Sequence, residues 1–414
     1  MKKILSAFLL CIVLLFCGCE DEINNTSNIS KEETIILKTP TPEYNPYENK
    51  IIWEAIKYAK CYEIQINDNP TIQITENHID TSNWTAGTYS ISIKPIGINS
   101  KYKSDEIKKH TIKIKNYIVT LDHNGPITKI VCRSGKTIDE PQDPQKENYI
   151  FLGWYKDKYY SEEFDFSTPI TENTTIYAKF TLDSTKIINK ITTSTINSIF
   201  TIYNENYNTQ KIFGIDTDII TESETCQGSG VVIANDYGFY YVLTNCHVAK
   251  LKEGYEKQRI TIEDSKGRSY TGTIMSISAE YDLACILFCE KSIYYQPIKL
   301  AKINATLNQD VIALGSPKGQ QNSITFGKAT KYTSIEIPTA KKYLSNVTFN
   351  VLQNTALTTN GLSGGPLLNS NFEIVGIIYA CGKEEPFSDY SFAIPVEKVK
   401  EFLSKYTEIN KLIK

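Results

Sequence analysis

Asn360-Gly361-Leu362-Ser363-Gly364-Gly365-Pro366 sets three glycines around one serine and closes on a proline. Glycines on both sides of a hydroxyl allow a tight, strained loop whose backbone N–H groups converge on one point. Converging donors are what a tetrahedral oxyanion needs. A serine hydroxyl attacks only with a base within hydrogen-bond reach, and the chain has four histidines, His78, His110, His123 and His247. Only His247 lies beyond Leu182. It follows an apolar strand in Leu243-Thr244-Asn245-Cys246-His247-Val248, where a side chain is held rigidly. The imidazole in turn needs a carboxylate to fix its tautomer and stabilise its cation. Three aspartates stand between His247 and Ser363. Asp264, before Ser265-Lys266-Gly267, and Asp310, after Asn308-Gln309, both fit turns. Asp282 stands at the mouth of the apolar run Leu283-Ala284-Cys285-Ile286-Leu287-Phe288, where a carboxylate is desolvated and directed.

Around these residues the pattern is all β. Apolar stretches at 199–203, 230–233, 240–244, 283–288 and 374–378 are separated by turn residues, and such spacing suggests a barrel or sandwich. A short helix is expected over 185–193 and an amphipathic one over 396–406. The order His247, Asp282, Ser363 comes with Gly228-Ser229-Gly230-Val231-Val232, Asp282-Leu283-Ala284, Gly315-Ser316-Pro317-Lys318-Gly319, Ser363-Gly364-Gly365-Pro366-Leu367 and Phe392-Ala393-Ile394-Pro395-Val396. Together they resemble the trypsin-like, chymotrypsin-fold serine peptidases, especially the bacterial periplasmic branch related to heat-shock proteases, over residues 183–414.

The resemblance implies two barrels, Ser363 as nucleophile, His247 as base, Asp282 as its orienting acid, and an oxyanion held by the N–H groups of Gly361 and Ser363. It puts Leu357 near the base of a substrate pocket and Tyr379, Ala380 and Cys381 along its wall, with residues 390–392 opposite. No aspartate occupies the pocket base, so a small or medium apolar residue before the cut is expected rather than Lys or Arg. Leu362 stands where the branch usually has Asn, which predicts an oxyanion loop of different shape. Cys226 sits where related peptidases often carry a disulfide cysteine, yet Val248, not cysteine, follows His247. A Cys226–Cys246 pair and two unpaired buried thiols remain alternatives. Beyond Cys19 the chain holds Cys61, Cys132, Cys226, Cys246, Cys285, Cys289 and Cys381, an odd number without a Cys-x-x-Cys pair, which argues against zinc.

At the other end, Lys2 and Lys3 precede an apolar run over residues 4–17, too short to span a bilayer and the right length for a secretory signal. The run ends at Phe16-Cys17-Gly18-Cys19, similar to a bacterial lipobox except that Phe16 replaces the usual Leu. That likeness makes residues 1–18 a lipoprotein signal peptide and Cys19 the lipidated residue. Glu20-Asp21-Glu22 resembles the acidic tract of some surface-displayed lipoproteins, and residues 19–33, rich in Asn, Ser, Thr and acid, read as a flexible tether. Residues 34–116 alternate with period two, Tyr62, Ile64 and Ile66 facing one way and Tyr89, Ile91 and Ile93 likewise. With Trp53 and the Ala86-Gly87-Thr88 turn they resemble a fibronectin type III sandwich, in which Trp53 is a core residue rather than a carbohydrate platform. Residues 117–182 carry Tyr117-Ile118-Val119-Thr120-Leu121-Asp122, Tyr149-Ile150-Phe151-Leu152-Gly153-Trp154-Tyr155 and Thr175-Ile176-Tyr177-Ala178-Lys179-Phe180. These resemble the Listeria–Bacteroides repeat, also called the internalin-type B repeat, a small β-grasp-like unit of surface proteins, with Tyr149, Phe151, Trp154 and Tyr155 mostly in its core.

Length agrees with this division, since 414 residues exceed one domain of about 150. The expected fold is mainly β and multidomain: a β-sandwich, a small β-grasp-like repeat, then a two-barrel chymotrypsin-like peptidase domain. A hydrophobic fraction of 41% with 22% charged residues is that of globular protein, and a net charge of −3 gives no electrostatic reason for nucleic acid as partner. The sequence therefore predicts a lipid-anchored, extracytoplasmic serine endopeptidase without metal or cofactor, periplasmic or on the cell surface. Its expected partners are protein or peptide substrates, the membrane through Cys19, and envelope or surface partners through the two accessory modules. The competing class is a surface adhesin or scaffold that keeps a peptidase fold for binding. A third reading, a peptidase acting only on its own chain, would show as a mass shift that His247→Ala abolishes.

Overall fold

The computed structural model describes residues 33–316, 323–382 and 388–413. The signal peptide, Cys19, all of the tether but Glu33, and Pro317-Lys318-Gly319 lie outside the described residues. The chain divides into two compact units, the described part of Met1–Pro141 with Phe164–Ile176, and Gln142–Glu163 with Tyr177–Lys414.

In the first unit, period-two alternation produces two antiparallel sheets. One has the order Ile72–Ile74, Ala59–Ile66, Gly87–Gly97, Lys109–Ile114; the other runs Glu43–Asn45, Lys50–Ile52, His78–Asp80. Their inner faces bury Ile51, Trp53, Tyr62, Ile64, Ile91, Ile93 and Ile112 in one core. Trp53, just past the strand Lys50–Ile52, is 4% exposed and meets the Tyr62 ring edge-on, so it is a core residue as expected. The repeat supplies four strands, Asn116–Asp122, Ile127–Arg133, Tyr149–Tyr155 and Thr174–Leu182; the first two pair antiparallel, as do the last two. Of its four core aromatics, Trp154 and Tyr155 are buried, whereas Tyr149 and Phe151 are partly exposed.

The second unit continues with helix Ser184–Thr193, whose start is set by Asp183, its carboxylate accepting from the Lys186 N–H. Ile187 and Ile191, one turn apart, are its buried residues, each stabilising by roughly 1.5–3 kcal/mol. Two closed six-stranded barrels follow. The first is formed by Ile199–Ile212, Ile215–Asp236, Phe239–Thr244, Leu283–Cys289, Ser269–Ser278 and Lys257–Glu263; the second by Asp310–Gly315, Ser323–Thr333, Val351–Asn354, Ser391–Pro395, Ile374–Cys381 and Pro366–Leu368. Each barrel has its own interior, built on Phe200, Val232, Val242 and Ile286 in the first and on Val311, Leu352, Leu367 and Ala393 in the second. A third cluster, including Leu243, Leu283, Leu314, Ile377 and Phe402, joins the barrels to helix Val396–Ser404. This is the two-barrel chymotrypsin-like architecture.

The sequence suggested short strands throughout, and one pair departs from that. Ile199–Ile212 and Ile215–Asp236 run 14 and 22 residues and stay paired from Ile199–Val231 out to Ile212–Ile215. Beyond Tyr207 the ribbon has no third strand, and its apolar side chains there, among them Ile212, Phe213, Ile215 and Ile219, are exposed, so this half carries no core-directed alternation to read. Phe213 and Gly214, at φ 50° and 80°, close it as a two-residue turn. The disulfide alternative also falls away, because Cys226 and Cys246 are both free thiols. The residue that faces Val248 is Gly228, where an added Cβ would lie 2.6 Å from both Val248 methyls.

Candidate active site

The strand Phe239–Thr244 leads straight into the one-turn helix Cys246–Ala249. Cys246, Val248 and Ala249 are buried, which leaves the His247 side chain, 27% exposed, as the member of this turn open to solvent. Asp282 precedes the strand Leu283–Cys289 at φ 49°, a left-handed conformation that Asp tolerates better than most residues, and is fully buried. Its carboxylate is divided between two donors of one residue. Oδ1 accepts the His247 backbone N–H at 2.8 Å, and Oδ2 lies 2.6 Å from His247 Nδ1. Asn245 Nδ2 adds a bond to the Asp282 carbonyl at 2.9 Å, so the aspartate is fastened to the histidine turn from both its backbone and its side chain. A proton on Nδ1 shared with a carboxylate leaves Nε2 as the acceptor. Burial pushes the imidazole toward its neutral form, but the charge and hydrogen bond of Asp282 outweigh it, and the His247 pKa is raised above the ordinary 6.5.

The other two aspartates are engaged elsewhere. Asp264, 1% exposed, takes Arg268 Nε at 2.6 Å and the Tyr295 hydroxyl at 2.8 Å, closing its hairpin turn. Asp310 forms an ion pair with Lys328 at 2.6 Å.

The serine loop comes from the second barrel. Three of its N–H groups are consumed by the fold: Leu362 donates to the Thr359 carbonyl, Gly364 to Ile378 and Gly365 to Leu362. Those of Gly361 and Ser363 have no acceptor among the described residues, which are the two donors that the sequence nominates for an oxyanion. Gly361 and Gly364 lie at φ 99° and 86°, where side chains are strained. A Cβ on Gly364 would lie 2.1 Å from the Ser229 carbonyl oxygen and 2.2 Å from Thr244 Oγ1, so this glycine lets the loop pack onto the turn that carries His247. Ser363 Oγ makes no hydrogen bond among the described residues. Such bonds are often long without substrate and tighten when it binds. Leu362 is 1% exposed and packs in the second barrel's interior cluster, so apolar packing anchors the loop.

Tyr379 stands beside the base, its ring 6.4 Å from the imidazole and edge-on. It is 7% exposed, burial pushes its phenol up to about 12, and its hydroxyl is 3.1 Å from Ser345 Oγ. Ala380 and Cys381 end their strand opposite Phe392 and Ser391. Leu357 is 51% exposed, and its neighbour Thr358 bonds through both N–H and hydroxyl to Ser391 Oγ at 2.8 Å. Ser391 therefore ties the expected pocket base to the expected wall. Ser391 falls within residues 390–392, which the sequence places opposite the wall, whereas sequence reading missed Asn245 and Ser345. Asn245 lies within the quoted histidine motif, whereas Ser345 carries no local signal. No group of three or more His, Cys, Asp or Glu able to hold a metal occurs among the described residues.

Residues 228–377 match the family model of the trypsin-like peptidase domain, and residues 117–179 that of the Listeria-Bacteroides repeat domain. The chain is similar to serine protease HTRA4 of Mus musculus, 30% identical over 191 residues, which is 45% of this chain and 36% of that protein. It is similar also to mitochondrial serine protease HTRA2 of Drosophila persimilis, 33% identical over 187 residues, which is 44% of this chain and 40% of that protein. The match thus spans 36% to 40% of the length of these two relatives.

Proposed function

We propose that this chain is a serine endopeptidase working through Ser363, His247 and Asp282. The observation that carries the reading is the Asp282 carboxylate holding both the ring and the backbone of His247, in a segment matching a trypsin-like peptidase domain. Ser363 Oγ attacks the scissile carbonyl and passes its proton to His247 Nε2. The N–H groups of Gly361 and Ser363 receive the negative oxygen, and Asp282 stabilises the imidazolium. His247 returns the proton to the leaving amine, and a water repeats the sequence on the acyl-enzyme, releasing acid and free Ser363. The relatives' names support protein or peptide as substrate. Leu357, Tyr379, Ala380 and Cys381 would bound a pocket for a small or medium apolar side chain.

The same proposal includes lipid attachment at Cys19 and a position outside the cytoplasm, supported by the apolar run and the Gly18-Cys19 junction. No helix among the described residues is long and apolar enough to cross a membrane. Residues 34–116 would be a fibronectin type III-like module, a reading supported by its four-stranded and three-stranded sheets, and would hold envelope partners together with the repeat.

Fluorophosphonate labelling of intact cells tests the whole reading. Wild type should label, Ser363→Ala should not, and Cys19→Ala should label but leave the membrane fraction. Labelling that survives Ser363→Ala would remove Ser363 as nucleophile, and membrane retention of Cys19→Ala would remove the anchor.

The labelling rate should also depend on pH in a defined sense. A base must be neutral, so the rate should fall as pH drops through a midpoint above 6.5. Stability moves the other way: a His pKa raised on folding contributes stability that is complete below the unfolded value and lost as pH rises through the folded one. A rate midpoint at or below 6.5 would contradict the His247–Asp282 pairing as the source of basicity.

A further inference from the structure

Ser229, central in Gly228-Ser229-Gly230, is fully buried on the strand Ile215–Asp236 and makes four hydrogen bonds. Its N–H donates to the Ser363 carbonyl at 2.7 Å and its hydroxyl to the Gly361 carbonyl at 2.7 Å. The same hydroxyl accepts the Ser316 N–H at 2.9 Å, and its carbonyl accepts the Thr244 hydroxyl at 2.6 Å. One residue of the first barrel thus reaches the strand end before His247, the end of the second barrel's first strand, and the serine loop at two points.

Those two points matter. The carbonyls of Gly361 and Ser363 belong to the same two residues whose N–H groups have no acceptor among the described residues. With Leu362 N–H on Thr359 and Gly364 N–H on Ile378, each peptide plane following an oxyanion donor is held at both its ends. The flanking glycines make the approach sterically allowed. A Cβ on Gly228 would lie 3.0 Å from the Ser363 carbonyl oxygen, and one on Gly230 2.6 Å from Val242 Cγ1. A Cβ on Gly315 would meet Ser229 Oγ itself at 2.7 Å.

We propose that Ser229 is a positioning residue for the reaction: its hydroxyl, spanning Gly361 and Ser316, fixes the orientation of the Gly361 donor toward the developing oxyanion, while its backbone N–H holds the Ser363 carbonyl. The assignment rests on the peptidase reading above and adds a residue that touches neither substrate nor base. Preorganised donors need no reorganisation at the moment of reaction, so loosening them lowers the chemical step and spares ground-state binding.

The test is fluorophosphonate inactivation of the full chain, resolved into the rate at saturating probe and the half-saturating concentration. Ser229→Ala should slow the saturated rate about 10- to 100-fold, less than the roughly 100- to 1,000-fold of deleting an oxyanion donor outright. The half-saturating concentration should stay within about twofold, the pattern of an interaction expressed only in the transition state. Ser229→Cys, which keeps volume and a weak donor, should fall between wild type and Ser229→Ala, and it carries the test if the alanine variant does not fold. Thr201→Val is the structural control. Thr201 lies opposite Ser229 on the paired strand, is equally buried, and bonds to Ser316 Oγ at 2.7 Å without touching the loop. It should react at the wild-type rate. An unchanged saturated rate in both Ser229 variants, a change confined to half-saturation, or an equal loss in Thr201→Val would overturn the assignment while leaving the peptidase reading intact. A wild-type chain that does not react would overturn both.

Discussion

His247→Ala should slow peptide hydrolysis about a millionfold, a loss of ~8 kcal/mol in transition-state stabilisation. The size follows from what remains after the substitution. His247 is the only imidazole beyond Leu182, so no neighbouring histidine can take the proton from Ser363. A neutral serine hydroxyl without a base is a poor nucleophile, and the oxyanion donors alone give only residual catalysis. Because the two residues act as a unit, Ser363→Ala should cost about as much, and the double variant scarcely more. Single-turnover hydrolysis of a peptide selected from a mixed library measures all three. A loss of only a few-fold in His247→Ala would mean that some other group accepts the proton. The variant should still fold, since the side chain is partly exposed and Asp282 Oδ1 keeps its backbone donor at position 247. Oδ2 loses its partner, and a melting curve should register a destabilisation of about 1–3 kcal/mol.

Asp282→Asn should be the next most damaging change, about 10,000-fold in kcat. Asparagine presents an N–H₂ donor or a neutral carbonyl where Oδ2 now faces Nδ1 at 2.6 Å. If its carbonyl keeps the His247 backbone N–H, its amide donates to Nδ1 and drives the ring proton to Nε2. The nitrogen that must accept from Ser363 is then already protonated. The charge that raises the imidazole pKa is lost as well, so the acid midpoint of the surviving activity should move down. Asp264→Asn makes the comparison decisive. Asp264 is as buried as Asp282, but its partners are Arg268 and Tyr295, so its loss should appear in the melting temperature and leave kcat nearly intact. A drop below tenfold in Asp282→Asn would remove the aspartate as the orienting group.

Those two aspartates illustrate how far the sequence reaches. The strands Phe239–Thr244 and Leu283–Cys289 were legible because each is an uninterrupted apolar run, and the serine loop because three glycines in six residues have no bland explanation. The choice among Asp264, Asp282 and Asp310 rested on position alone, because what separates them is the partner each meets through the tertiary fold. Burial by itself does not separate Asp264 from Asp282. The long ribbon beyond Tyr207 was hidden for a different reason: strand pairing and exposed polar contacts, such as Asn208 with Gly254 and Lys211 with Glu256, hold it, and these leave no apolar periodicity to read. Between a Cys226–Cys246 pair and unpaired thiols the sequence could not choose, because only the fold shows both thiols free and Gly228 lying against Val248. Leu362 was legible as a departure but not in its consequence, because only the packed barrel gives its side chain somewhere apolar to go. Ser229 was visible as part of a motif, yet its bonds to residues 132 and 87 positions away in sequence belong to the fold.

The division of the reacting groups between two barrels also has a temporal meaning. His247 and Asp282 are contained in a barrel whose last strand ends at Cys289, whereas Ser363 belongs to one whose last strand ends at Pro395. On the proposed mechanism, a chain emerging from the ribosome holds His247 and Asp282 before Ser363 has been made. Such a nascent chain would carry the proton acceptor with nothing to deprotonate. On that reading, it would be unable to cut its own unfolded remainder until the second barrel closes, at the stage when that remainder is the most vulnerable polypeptide within its reach.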